Sequence, residues 1–406
     1  MRGYLNSRIH DLRDSIICRG SRAADSVGII LHEVLESGYI RITGNGFELK
    51  LNRRLCVFIG MVLTLSIVSA YYVGTFIVQM GGLSHRQELV LYTVLWSVFP
   101  VFIISDVLRR TRHWKIPYVV GAVLLGSYSV LVAVCSLGYV ALFFGMPPRL
   151  TVVFCTVGAV ELSLLALITN ARGPKVTEID LSTCEPFSGR WKRLTIVHLS
   201  DIHLSNHTRL SWVESMVEKT NALSPDLIVF TGDLIDVHPD HIPEHIQALS
   251  KLEARYGKFA VSGNHDVMMG IETFYNLCET LGFVCLDHQQ VQVEGLQLVG
   301  MPDELLHYKT LPVIDQTADH GPVIFLKHRP TRFAEAVNAG VHLQLSGHSH
   351  KGQMPPWGLL VRLRYRRYAY GLHRYKQGYI FTTLGTGVWG PPMRLFSRSE
   401  IVRIRI

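Results

Sequence analysis

Four apolar stretches fix what the first part of this chain can become: residues 55–80, 89–108, 118–144 and 150–169. Each reaches the ~20 residues that a helix needs to cross a hydrocarbon core. In lipid every backbone N–H and C=O must be satisfied within the segment, which restricts such stretches to helix. One of them alone would read equally well as a buried core helix. Four in succession argue for an integral, multi-pass protein of the cell membrane. Lys and Arg set the orientation. Nine precede the first span, while the connection 81–88 carries Arg86 alone. The next connection holds Arg109, Arg110, Arg112 and Lys115, the third only Arg149, and Arg172 and Lys175 follow the last span. The positive-inside rule then puts the N-terminus, the second connection and everything after Thr169 in the cytoplasm.

Composition divides the chain into a basic N-terminal segment (1–54), the transmembrane region (55–170), a linker (171–190) and a soluble domain (191–406). Within the first segment, residues 26–37 suit a short amphipathic helix and Gly44-Asn45-Gly46 is a turn signal. The net charge of +8 gathers before the first span, between spans and near the C-terminus. That distribution suits basic loops or an anionic substrate. No run of like charge is long enough for a nucleic-acid-binding tail, so no nucleic-acid partner is expected. Seven cysteines with no C-x-x-C read as reduced thiols. Glu161 and Asp106 lie in the fourth and second spans, and intramembrane carboxylates are functional candidates by default.

From Leu194 onward strand-like runs alternate with helical ones and end in β-rich segments. This indicates an α/β fold, a two-sheet β-sandwich flanked by helices and preceded by an α-helical transmembrane domain of about four spans. The run from Thr195 to Leu199 stops at Asp201 and His203, at the strand's C-terminal lip, where α/β sheets hold ligands. An extended chain sends residues i and i+2 to one side. Four more blocks follow strand ends: Gly232-Asp233-Leu234-Ile235-Asp236, Gly263-Asn264-His265-Asp266, His328-Arg329-Pro330 and Gly347-His348-Ser349-His350. The donors are then Asp201, His203, Asp233, Asn264, His328, His348 and His350. Seven exceed what one tetrahedral ion takes, and suit two divalent ions if one carboxylate bridges. Such a pair acidifies a shared water and neutralises phosphoryl oxygens, a clamp for displacement at phosphorus. His265 and Asp236 are left over, a histidine oriented by a carboxylate to protonate a leaving oxygen.

The order of these blocks resembles the calcineurin-like metallophosphoesterase superfamily. Gly-His-Ser-His-Lys-Gly-Gln, the His328 block and Pro391-Pro392-Met393-Arg394 are similar to its YkuE/YaeI-type branch, which includes membrane-tethered members. The resemblance implies that Asp201, His203, Asp233 and His350 hold one metal, and Asp233, Asn264, His328 and His348 the other, with Asp233 bridging. It implies Mn, Fe, Zn or similar ions, and His265 as the catalytic histidine paired with Asp236. Arg329 and Lys351 depart from the branch's usual residues and add positive charge; with Arg394 they are candidate substrate contacts.

The stretch Arg362-Leu363-Arg364-Tyr365-Arg366-Arg367-Tyr368 suits gripping phosphate, stacking on a base or lying on anionic lipid, against a solvated strand face as the plainer reading. The whole reads as a membrane-anchored, dinuclear metal-dependent phosphoesterase. It would hydrolyse a phosphoester or pyrophosphate bond by metal-activated hydroxide, in a phosphorylated small molecule or a lipid-linked substrate. The rivals are a tethered phosphodiesterase for soluble nucleotides and a non-catalytic scaffold on the same fold. A reporter active only in the cytoplasm, fused after Thr169, should give signal; signal from the opposite compartment would require an odd number of spans or inverted insertion.

Overall fold

The computed structural model describes residues 28–29, 39–43, 46–50, 53–108, 115–188, 194–306, 310–312, 314 and 321–406. The chain divides into two compact units, Met1–Ile59 and Gly60–Ile406. In the first, β1 (Gly28–Ile29), β2 (Tyr39–Thr43) and β3 (Gly46–Lys50) form an antiparallel sheet in that order. Gly28 and Ile29 pair with Arg41 and Ile40. The helix expected over 26–37 is therefore not formed at those two residues, and its remainder lies outside the described residues.

The four apolar stretches are helices: α1 (Arg53–Val78), α2 (His85–Leu108), α3 (Lys115–Phe143) and α4 (Pro148–Ala171). All four are long and apolar enough to cross a membrane. Their contacts use small residues, as helix packing in lipid requires where backbones approach closely. A Cβ on Gly138 of α3 would collide with the ring of Phe76 in α1. Glu161 stays on the exposed surface of α4.

Beyond α4 the chain builds two six-stranded sheets. The first has the order β4 (Lys175–Asp180), β15 (Glu400–Arg405), β5 (Thr195–Leu199), β6 (Leu227–Phe230), β7 (Lys258–Ala260), β8 (Phe283–Cys285). Its strands β5 to β8 are parallel neighbours. The crossovers carry α5 (Leu210–Asn221), α6 (Pro243–Leu249), α7 (Asn264–Met269) and α8 (Ile271–Thr280). Right-twisted parallel strands demand such covered connections. The second sheet runs β13 (Gly371–Tyr375), β14 (Gly378–Thr382), β12 (Leu343–Ser346), β11 (Val323–Lys327), β10 (Leu296–Met301), β9 (Gln290–Val293). The stretch expected as a linker thus supplies β4, which pairs with the C-terminal strand β15.

Alternation decides which side of each strand enters the core. Ile196, Val229 and Phe259 of the first sheet meet Leu298, Ile324, Leu343 and Phe381 of the second. On the other face Val197, Leu199, Ile228 and Phe230 pack on Val213, Met216, Phe274 and Leu277 of the helices. A short α9 (Phe333–Asn338) covers the outside of the second sheet, with Ala336 against Val299 and Phe325. Both faces of the strands are buried, which is why the strand sequences read as continuous apolar runs.

The sandwich is seated on the membrane helices. Met354, Met393 and Leu395 pack with Val130 of α3 and Ala166 of α4. The Arg394 N–H donates to the Ala166 carbonyl at 3.0 Å, and the Ser129 hydroxyl donates to the Pro355 carbonyl at 2.8 Å. Gly126 makes the seat: any Cβ there would meet the sulfur of Met393. One further helix, α10 (Trp357–Tyr365), leaves this seat. The Arg-rich stretch is thus helical from its start to Tyr365, not a strand face.

Candidate metal centre

The candidate donors lie on the loops that leave β5, β6, β7, β11 and β12. Two loops are zipped together: Asp201 N–H donates to the Gly232 carbonyl at 2.9 Å, and His203 N–H to the Asp233 carbonyl at 3.1 Å. Asp201, His203, Asp233, His348 and His350 all have positive φ. Non-glycine residues avoid that region, and several together mark a site held by its surroundings. The side chains of Asp201 and His203 do converge, but through two left-handed residues and not through the extended chain expected from their i, i+2 spacing.

Among the described residues, three clusters of ligand-type atoms result: Asp201, His203 and His350; Asp233, His328 and His348; and His203, Asp236 and His265. Asp233 joins the first two. Its Oδ2 lies 3.6 Å from His203 Nε2 and 3.2 Å from His328 Nε2, while its Oδ1 accepts the His265 N–H at 2.8 Å. Asn264 Oδ1 stands 3.1 Å from His328 Nε2, which is also 3.1 Å from His348 Nδ1. All seven donors expected from the sequence are therefore brought together.

Their surroundings fit divalent cations. His203 and His350 face each other through Nε2 atoms 3.2 Å apart, a spacing that suits ligands to a shared ion. Behind them, His203 Nδ1 lies 3.0 Å from Asp236 and His328 Nδ1 2.7 Å from the Thr231 carbonyl. Anchoring the far nitrogen is how a protein fixes the tautomer of a metal-binding histidine. His350 differs: its Nδ1 is 3.0 Å from Arg394 Nη2.

Charge is concentrated and poorly solvated here. Burial would raise the Asp233 carboxyl, but His328 and His265 outweigh it and hold it well below the usual range. Burial would lower His328, yet Asp233 and Asp201 lift it to about 10. Burial also lowers His265, and Asp233 and Asp236 overcome this to lift it to about 9. Burial, assisted by the neighbouring cations, pushes His348 and His350 well below the ordinary imidazole value.

Asp236 serves two histidines, with Oδ1 2.8 Å from His265 Nδ1 and 3.0 Å from His203 Nδ1. The sequence reading gave it only the first partner. Asp266 went without a role there, although it is fully buried. Its carboxylate accepts the N–H groups of Asp233, Leu234 and Gly263 at 2.7, 2.8 and 2.9 Å, and so shapes the loop that carries Asp233. An acidic residue inside the Gly-Asn-His-Asp block was the available signal. Gly347 is needed for close approach, since a Cβ there would strike Asp201.

The three candidate substrate contacts part company. Arg329 is one-fifth exposed and is held by Asp303 at 2.7 and 3.1 Å. Lys351 is exposed, with Nζ 5.2 Å from the Tyr370 ring centre. Arg394 is fully buried. Its Nη2 donates to the carbonyls of Leu384 and Gly387 and lies 3.0 Å from His350 Nδ1, so it stands behind a candidate ligand and does not face a substrate. The rim is aromatic: Trp389 stands edge-on to His265 at 6.0 Å and Tyr365 to His348 at 5.9 Å.

A sandwich whose strand ends gather carboxylates and imidazoles this closely forms a candidate metal centre. The family model for calcineurin-like phosphoesterase matches residues 194–352. An uncharacterized metallophosphoesterase of Helicobacter pylori is 31% identical over 223 residues, covering 53% of this chain and 60% of that protein. The transmembrane protein with metallophosphoesterase domain of Danio rerio is 30% identical over 275 residues, covering 63% of this chain and 62% of its own. The uncharacterized metallophosphoesterase YkuE of Bacillus subtilis is 31% identical over 227 residues, covering 51% and 76%. The chain belongs to the calcineurin-like metallophosphoesterase family, a family of hydrolases. It spans about six tenths of the length of the Helicobacter and Danio proteins.

Because Asp236 orients a candidate ligand as well as His265, Asp236→Asn should lower metal content together with turnover. Full metal content by elemental analysis, with only turnover reduced, would confine Asp236 to His265.

Proposed function

We propose that this protein is a membrane-anchored phosphoesterase that holds two divalent cations and hydrolyses a phosphoester or pyrophosphate bond of a lipid-linked substrate on the cytoplasmic side. The observation that carries it is the division of Asp233, whose Oδ2 lies between His203 and His328 while Oδ1 is held by the His265 N–H. Asp201, His203, Asp233 and His350 would hold one cation, and Asp233, Asn264, His328 and His348 the other. When bound, such ions supply Lewis acidity, neutralising phosphoryl oxygens and acidifying water.

The chain's own residues do the rest. Asp236 fixes the His265 ring through Nδ1, which leaves Nε2 as the proton-carrying atom for a leaving oxygen. The His265 side chain keeps one-fifth of its surface open, so a substrate can reach it. Trp389 stands edge-on beside it.

The lipid-linked reading is supported by the rim. Trp389 is tied to Gln353 by two hydrogen bonds, 3.2 Å from its N–H and 3.0 Å to its carbonyl. Gln353 neighbours Met354, which packs on α3 and α4. The aromatic lip over His265 is thereby joined to the segment seated on the membrane helices. A soluble-nucleotide enzyme has no need of that linkage.

His265→Ala should keep both metals and slow turnover by about 10²–10⁴, the usual size of a general-acid contribution. The loss should shrink for nitrophenyl esters, which need little protonation. Asp233→Asn should lose the metals themselves. Metal loss in His265→Ala, or equal slowing for good and poor leaving groups, would remove His265 from this role. With the full-length protein in mixed micelles, long-chain phosphate esters should be hydrolysed faster than short-chain analogues of the same headgroup; equal rates would favour a tethered enzyme for soluble substrates.

A further inference from the structure

The helix α10 has an apolar face that nothing among the described residues covers. Leu359, Leu360 and Leu363 are 63%, 54% and 68% exposed, and Trp357 begins the helix at 39%. With 3.6 residues per turn, the three leucines share one face and Arg362 and Arg364 fall on its two flanks. Arg366 and Arg367 follow at once. Phe396, 72% exposed, belongs to the other segment seated on α3 and α4. A monomer in water gains nothing from such a face, whereas an apolar stripe flanked by arginines matches the boundary between acyl chains and anionic headgroups.

Helix length locates it. The far end of α3 is Phe143, which like Phe144 is exposed. Counting back the ~20 residues that span a hydrocarbon core reaches the neighbourhood of Leu124. Gly126, Ser129 and Val130, which meet Met393, Pro355 and Met354, therefore lie at acyl depth. Pro356 and Trp357 continue from there, so α10 starts at the membrane surface and not in bulk water. At its other end Tyr365 packs on His348.

We infer that α10, with Phe396, is an interfacial helix that rests in the anionic leaflet and forms the membrane-side lip of the metal centre. Its partner is the lipid surface itself, contacted by the leucines while the arginines reach headgroup phosphates, as long basic side chains do at interfaces. The inference rests on the four helices being bilayer spans and deepens the reading of a lipid-linked substrate by giving that substrate a threshold.

The test uses the full-length protein in nanodiscs of phosphatidylcholine and phosphatidylglycerol, with the photo-crosslinker p-benzoylphenylalanine replacing Leu363, or Val153 on the exposed surface of α4. Mass spectrometry should find lipid adducts at both positions. Adducts at Val153 and none at Leu363 would overturn the inference, and adducts at neither would overturn the spans and the inference together. In the Leu363 probe background, Arg362→Glu with Arg364→Glu should lower the phosphatidylglycerol adduct about fivefold or more, since one basic residue at an anionic surface is worth a factor of about five; an unchanged yield would overturn the anionic preference. The adduct is read without turnover, so failure of the lipid-linked substrate reading would appear separately, as equal hydrolysis of long- and short-chain esters with the adduct intact.

Discussion

The site depends on how one carboxylate is shared. Asp233 is buried between two groups of imidazoles, and a carboxylate there is tolerable only if each oxygen is satisfied. One oxygen takes a backbone N–H from the start of α7; the other is left facing His203 and His328. Everything that positions Asp233 follows from this. Asp266 gathers the N–H groups of the loop around it, and Gly263 lets β7's exit pass close by, since a Cβ there would strike Asp233. The sandwich brings these loops to one edge, and the packing of its two sheets keeps them in register.

Much of this was legible in the residues. The strands are apolar runs broken by Gly or a donor, so β5 could be read from Thr195 to Leu199, and the seven donors stood at the breaks. What was not legible was the backbone. Asp201, His203 and Asp233 adopt left-handed conformations that no residue type among them announces, because the surrounding hydrogen bonds impose them and local preference does not. The second partner of Asp236 was hidden for a related reason: which carboxylate reaches which ring depends on the zipping of two loops distant in sequence.

Arg394 carries a charge that suggested a phosphate contact, yet carbonyls of Leu384 and Gly387 and the ring of His350 enclose it. Charge identifies a possible chemistry, but only burial decides which side of a ligand the charge stands on. The Arg-Leu-Arg-Tyr pattern suggested alternation. Helix wins because Leu359 and Leu363 sit one turn apart, a spacing that two-residue alternation conceals. In the N-terminal segment, Gly44 and Asn45 of the expected turn lie outside the described residues, and β1, β2 and β3 were not anticipated because runs of two and five residues carry little period.

The seat of the sandwich on α3 has a geometric consequence. Gly126 lets Met393 and Pro391 press against the helix, and Ser129 and Ala166 add hydrogen bonds on either side. A domain held at several points along two helices has little freedom to pivot, and the height of the metal centre above the acyl chains is set. If the substrate is lipid-linked, as proposed, that height acts as a ruler. The distance along its headgroup from glycerol or sugar to the reacting phosphorus would then select which lipids are cut, before any pocket recognises their chemistry.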